Sequence, residues 1–198
     1  TLNLNVPVLC REGQNWTIYS QKEGTLNFGA VMTNDFEGAV GTTALSGGRV
    51  NMGAGTGLYA PQSAFTWAGG HYDAGYTNYL TLTDNAFIET ESFAVGYYLE
   101  TGSTRILLDG DEAAIRTSNN FALGSITYSG YAFPQLNHEF VLRRGSLSIG
   151  GNFMMATQCP TIYRQEAGEV TVAGGIAPIP PVPGVGGRSG RQPHHVVV

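Results

Sequence analysis

The chain is poor in charge, since only 13% of its 198 residues are Asp, Glu, Lys or Arg, about half the usual share. The formal net charge is -5, so the sequence lacks the basic surplus of a nucleic-acid-binding face, and we predict no nucleic-acid partner. No apolar run approaches the roughly 20 residues that a membrane span needs, which predicts no membrane partner. Residues 1–5 show no basic start followed by an apolar stretch, so we expect no signal peptide.

Cysteine is almost as scarce, with Cys10 near the start and Cys159 near the end. A bridge between them would close a loop of roughly 150 residues and stabilise the fold by about 4–5 kcal/mol in the chain-entropy model. Two buried thiols in a reducing compartment are an equally good interpretation. The two cysteines lack the Cys or His neighbours of a zinc site, and we predict neither a metal nor a cofactor.

Glycine is abundant, at 28 residues about twice its usual share, which is typical of turn-rich β architecture. Apolar residues alternate with polar ones in segments 78–84, 91–99 and 138–154, with Gly, Asn, Asp and Ser between the segments. This pattern predicts half-buried antiparallel strands. We expect an all-β antiparallel β-sandwich over residues 15–173. Residues 1–14 are expected to form an N-terminal arm or edge strand, because Pro7 cannot donate to a ladder.

The order of these segments resembles a known family. A "YLTL-D" strand, a "FAVGYYLE" strand, a hairpin "RILLDGDEAAI" and a late hairpin "HEFVLRRGSLSIGGN" are similar to the laminin-G-like, concanavalin-type jelly roll. Asn137 stands where that family usually has a Trp, before His138. The resemblance covers about half of the chain. It implies a jelly-roll sandwich and, through aromatic loops, glycan binding.

Acidic residues offer two candidate sites in this framework. The acidic turn of residues 109–112 resembles the calcium rim of some laminin-G-like domains, but Asp-Gly is also a favoured hairpin turn, and we prefer a solvated turn. Glu89 and Glu91 resemble part of the acidic strand of concanavalin-like glycosidases. Phe93 stands where the third acid would be, and no G-x-S-x-G motif accompanies the histidines. We therefore predict no enzyme and no catalytic residue.

Aromatic residues supply the candidate contacts. Residues 53–76 are rich in Gly and aromatics and are expected to form a long loop, which is either functional or packed across a neighbour. Its aromatics are candidates for stacking on sugar rings or on a partner protein, and the alternative is that Phe65 and Trp67 plug one end of the sandwich. The candidate residues for contact with a glycan or partner are Trp67, Tyr72, Tyr128, Tyr131 and Phe133.

The composition changes abruptly over residues 174–198, which are rich in Pro and Gly and end in three valines. Such a tail cannot bury a core of its own, so we predict an extended arm that docks on another surface by strand addition or in a proline groove. The predicted arm residues are Pro178, Pro180, Pro181, Pro183, Val196, Val197 and Val198.

These features together predict a non-enzymatic structural subunit of a virion, such as a bacteriophage decoration, head-fibre or tail-associated protein made in the host cytoplasm. Its expected partners are other virion proteins, further copies of itself and a cell-surface glycan. The alternative is a secreted or surface lectin-type module that binds carbohydrate as a free extracellular domain. The first hypothesis predicts an essential tail and reduced thiols, whereas the second predicts a disulfide and a dispensable tail.

Overall fold

The structure is a computed structural model that describes residues 1–5, 8–9, 16–20, 25–33, 42–46, 48–67, 77–96, 103–124, 137–156, 159–178 and 194–197. Its described elements are all β-strands: β1 (Leu2–Leu4), β2 (Val8–Leu9), β3 (Trp16–Ser20), β4 (Thr25–Phe28), β5 (Val31–Thr33), β6 (Thr42–Ser46), β7 (Arg49–Met52), β8 (Gly57–Trp67), β9 (Thr77–Thr83), β10 (Phe87–Val95), β11 (Ser103–Thr117), β12 (Phe121–Leu123), β13 (His138–Ile149), β14 (Phe153–Met155), β15 (Thr161–Gln165), β16 (Glu169–Val172), β17 (Ile176–Pro178) and β18 (His194–Val197).

Every described strand pairing is parallel, and the pairings form three ladders that wind around one core. The first sheet stacks β1, β4, β7, β9, the start of β11, the start of β13, β15 and β18. The second stacks β2, β5, the start of β8, the start of β10, the end of β11, the end of β13 and β16. The third stacks β3, β6 and the ends of β8 and β10, followed by β12, β14 and β17. The fold is therefore a three-sided parallel β-solenoid.

This architecture corrects the predicted fold. The all-β class is confirmed, but the antiparallel sandwich and the laminin-G-like, concanavalin-type jelly roll are wrong. In-out alternation is common to both kinds of strand, because it reports one buried face and not the direction of the partner. The partner of each strand lies a full turn away in sequence, as Asn27 and Asn51 do at a separation of 24 residues.

The two predicted hairpins are also wrong. The strand β11 does not fold back on itself at Asp109; it bends there and passes from the first sheet into the second. The strand β13 does the same at Arg144 and Gly145. Polar and Gly residues thus mark corners of the solenoid where the sequence suggested reversals. Residues 57–67 of the predicted long loop form β8 instead.

The core contains a ladder of phenylalanines contributed by successive turns of the third sheet. Phe65, Phe93, Phe121 and Phe153 follow one another in register and are at most 2% exposed. The ring centroids of Phe93 and Phe121 are 5.0 Å apart, and those of Phe121 and Phe153 are 5.5 Å apart, both edge to face. Because in-register stacking brings like residues together, one inward position per turn fills a column of the core.

Glycine is required where one turn lies directly on the backbone of the next. A Cβ at Gly110 would lie 2.3 Å from both the backbone N and O of Asp84 in the preceding turn. Asp84 itself adopts a left-handed conformation with φ 56°. Gly53 stands at the same corner one turn before Asp84, and a Cβ there would meet nothing closer than 3.8 Å.

We expect Phe121→Ala to lower the free energy of unfolding by about 3–5 kcal/mol, because it removes a buried ring that contacts Phe93, Phe140 and Phe153. Urea denaturation measures this change. A loss below 1 kcal/mol would mean that the phenylalanine column is not continuous.

The Gly110→Ala substitution should cost about 1–3 kcal/mol, since its methyl group would overlap the Asp84 backbone. Gly53→Ala is the matched control at the same corner and is expected to be neutral or slightly stabilising, because alanine restricts the unfolded chain. Thermal unfolding of both variants compares the two sites, and equal effects would contradict the stacking.

Candidate functional site

The connections from the third sheet to the first share one corner of the solenoid, which we call the insertion corner. There the described chain stops and resumes between residues 67 and 77, 96 and 103, 124 and 137, 156 and 159, and 178 and 194. The intervening segments therefore begin and end on the same edge of the molecule. They hold six of the ten tyrosines, namely Tyr72, Tyr76, Tyr97, Tyr98, Tyr128 and Tyr131.

Both sides of the insertion corner are tied to the neighbouring turn by backbone hydrogen bonds. On the side of the third sheet, the N–H of Gly96 donates to Trp67 O at 2.9 Å and the N–H of Gly124 donates to Val95 O at 3.0 Å. On the side of the first sheet, the N–H of His138 donates to Pro160 O at 3.1 Å. The bases of the inserted segments are thus held by the same ladders that build the fold.

His138 lies buried just inside this corner. Its Nδ1 is 2.8 Å from the hydroxyl oxygen of Thr104, which occupies the same register position one turn earlier. Its ring covers Gly96, where a Cβ would lie 2.5 Å from His138 Cε1. Desolvation by burial lowers the pKa of His138 from 6.5 to about 4, so the imidazole is neutral at pH 7.

Three buried polar atoms at the insertion corner have no hydrogen-bond partner within the described part of the chain. They are Nε2 of His138, Oδ1 of Asn137 and Nε1 of Trp67. A buried polar group that stays unpaired costs about 1–3 kcal/mol, so these three atoms need hydrogen-bond partners from outside the described residues.

The structure describes one of the five predicted contact residues, Trp67. Trp67 is fully buried at the base of the insertion corner, where it packs in the core. Tyr72, Tyr128, Tyr131 and Phe133 lie outside the described residues, in segments that start and finish at the insertion corner. Their role as contacts stays a prediction.

Three of the predicted arm residues lie at the C-terminal end of the solenoid. Pro178 ends β17, and Val196 and Val197 belong to β18, which pairs in parallel with β15 of the same chain. Pro180, Pro181, Pro183 and Val198 lie outside the described residues, as does Cys10. Cys159 is buried beside Ala122 and Ala156. Because Cys10 lies outside the described residues, the pairing of the two cysteines stays a prediction.

Sequence reasoning missed the column of His138, Thr104 and Thr161, which are all 0% exposed. The alternating pattern marks His138 only as part of segment 138–154 and does not distinguish the two threonines. The signal that could have identified them is their position, since each is the first or second residue of a first-sheet strand that follows an inserted connection.

A charged groove of about 440 Å³ lies at the corner between the first and second sheets. It contains the acidic turn, and its lining residues are Ala54, Asp84, Asn85, Asp109, Gly110, Asp111, Glu112 and Arg144. Asp109 accepts hydrogen bonds from Arg144 Nε at 2.8 Å and from Arg143 Nη1 at 3.0 Å. Hydrogen bonding to Arg144 is the largest cause that lowers the pKa of Asp109 below 3.8.

Asp109 is poorly suited to act as a general acid in this groove. A general acid at neutral pH needs a carboxyl group with a raised pKa, whereas two arginines hold Asp109 ionised. The described residues contain no group of three or more His, Cys, Asp or Glu side chains arranged to hold a metal ion. Glu89 and Glu91 flank the inward-facing Thr90, and Glu89 lies 3.9 Å from Arg116.

No helix in the described ranges is long and apolar enough to cross a membrane. Comparison with known protein families, curated proteins and solved structures gave no match.

The buried His138 predicts an acid-sensitive fold. The pKa of His138 is 6.5 in the unfolded chain and about 4 in the folded one. The neutral imidazole therefore makes its full contribution to the free energy of unfolding above pH 6.5, and this contribution is lost as the pH falls toward 4. The loss should reach about 3 kcal/mol below pH 4. His138→Gln should remove this part of the pH dependence in urea denaturation. Identical pH profiles for the two proteins would contradict a neutral, buried imidazole.

Proposed function

We propose that the chain is a non-enzymatic structural subunit of a larger assembly, which contacts its partner through the insertion corner. The observation that carries this proposal is that the connections between residues 67 and 77, 96 and 103, and 124 and 137, which hold six of the ten tyrosines, all run from the third sheet to the first at one corner. Repeat proteins commonly collect insertions on the face that binds a partner. The solenoid acts as a rigid support, and the inserted segments supply the contacts.

The sequence of these segments supports a binding role. Tyr128, Tyr131 and Phe133 occur among Ser, Gly and Pro in residues 124–136. Tyrosine provides large contact area at a low cost in conformational entropy, and Ser and Gly provide adaptable hydrogen bonding, as in antibody paratopes. Trp67 anchors the base of the corner from within the core.

The setting that we propose is the virion, where a stiff β-solenoid would serve as a decoration, fibre or tail-associated subunit and the corner would contact another virion protein or a surface glycan. The jelly-roll resemblance no longer supports this setting, so the proposal depends on the architecture and the low charge. The second candidate is a free carbohydrate-binding module, which the tyrosine content of the corner favours equally.

A triple substitution tests the corner directly. Changing Tyr128, Tyr131 and Phe133 to Ser should weaken binding by about tenfold or more, because aromatic anchors dominate interface energies. Binding is followed by sedimentation with the parent particle and on a glycan array. The control is Tyr79→Ser, which removes an aromatic from the outer surface of the first sheet, where it lies under Arg49.

Loss of particle binding in the triple variant alone supports the structural subunit, and loss of glycan binding alone supports the free module. Circular dichroism and urea denaturation must show that both variants fold. Unchanged binding of the triple variant to both targets would contradict the proposal.

A further inference from the structure

The C-terminal end of the solenoid is only partly covered by the part of the chain that the structure describes. The last complete turn consists of β15, β16 and β17, and β18 covers only β15. No described strand pairs with the outer edges of β16 and β17. Within the described residues, two of the three sheets therefore end in backbone N–H and C=O groups that are templates for a further strand.

The apolar core is exposed at the same end. Ile176 follows Phe153 in register, so it occupies the next position of the phenylalanine column. It is 65% exposed and is the one large hydrophobic residue that is exposed among those whose burial the structure describes. Val170 and Val172 of the same turn are only partly buried against the core. Terminal turns of repeat proteins normally carry a polar cap, and this turn presents an apolar end.

The strand β18 is held differently from the strands before it. Residues 194–197 pair with residues 161–164 through one ladder, and the structure describes no second-sheet or third-sheet strand in the same turn. Every first-sheet strand from β4 to β15 is followed by such strands. Covalent geometry allows the connection from Pro178 to His194 to span up to about 50 Å. The strand can thus reach the edge of β15 in its own chain or in a neighbour.

We propose that this end is an interface with a second copy of the chain, in which two copies exchange β18 and bury their Ile176 ends against each other. Each copy carries both the acceptor edge, β15, and the segment that fits it in register, β18. A reciprocal exchange is self-complementary, as a two-fold dimer requires. The apolar ends supply the driving force, and strand pairing supplies the specificity.

The interface meets the insertion corner at the connection from Pro178 to His194, but the tyrosine-bearing connections tested above belong to earlier turns, so this inference and the proposed function can fail independently. It deepens the predicted role of the C-terminal arm: Val196 and Val197 join a neighbouring copy, and the end of the solenoid becomes a dimer contact.

The first test is the oligomeric state over a dilution series, measured by sedimentation velocity. The wild type should be dimeric, and Ile176→Asp should weaken the dimer about tenfold or more by placing a charge in the apolar contact. The matched control is Thr171→Asp, which adds the same charge to an exposed outward position of the same turn. A wild type that is monomeric at every concentration would overturn the inference.

The second test separates exchange from pairing within one chain. Arg164 and Val197 are register partners, and parallel neighbours about 4.8 Å apart satisfy the geometry of a disulfide. One copy carrying Arg164→Cys and another carrying Val197→Cys are mixed, unfolded, refolded together and oxidised. The expected product is a mixed disulfide between residues 164 and 197, identified by peptide mass spectrometry.

The control mixture pairs Arg164→Cys with His194→Cys, which lies opposite Thr161 and is out of register with residue 164. It should give at least about tenfold less cross-link. A chain carrying both Arg164→Cys and Val197→Cys reports pairing within one copy. Cross-links confined to that chain, with none in the first mixture, would show that β18 stays on its own β15 and would overturn the exchange.

Discussion

The structure depends on one constraint, the in-register parallel pairing of each turn with the next. This pairing places the same inward position of successive turns in one column, so Phe65, Phe93, Phe121 and Phe153 share a single stack. It also brings backbone against backbone at the corners, which explains why Gly110 cannot carry a side chain over Asp84. Core composition and corner composition are thus two results of the same geometry.

In-register pairing also separates the residues that build the solenoid from the connections that supply contacts to a partner. Residues in the ladders are fixed by their neighbours above and below, so long insertions are accommodated where the chain leaves one sheet before entering the next. The connections richest in tyrosine leave the solenoid at the insertion corner, where Trp67, Gly96 and His138 pack at the described ends of those connections. His138 and Asn137 each carry a buried polar atom there that has no hydrogen-bond partner among the described residues.

The sequence predicted the all-β class and the alternation of segments 78–84 and 138–154, because burial of one strand face follows from local pattern. It did not reveal strand direction, since a parallel partner lies a whole turn away. The missed signal was repetition: Asn3, Asn27 and Asn51 recur at 24-residue intervals and form a hydrogen-bonded ladder of amides. The sites were harder to predict, because the insertion corner exists only once the turns are stacked.

Spin-label distances along the first sheet test the parallel stack most directly. Asn27, Asn51, Thr81, Leu107, Val141 and Arg164 are successive register partners. Labels at Asn27 and Arg164 are therefore five steps apart, and we expect a single distance of about 24 Å at about 4.8 Å per step. Intermediate positions should give proportionally shorter distances. A distance that does not increase regularly from Asn51 to Arg164 would contradict the solenoid and every inference built on it.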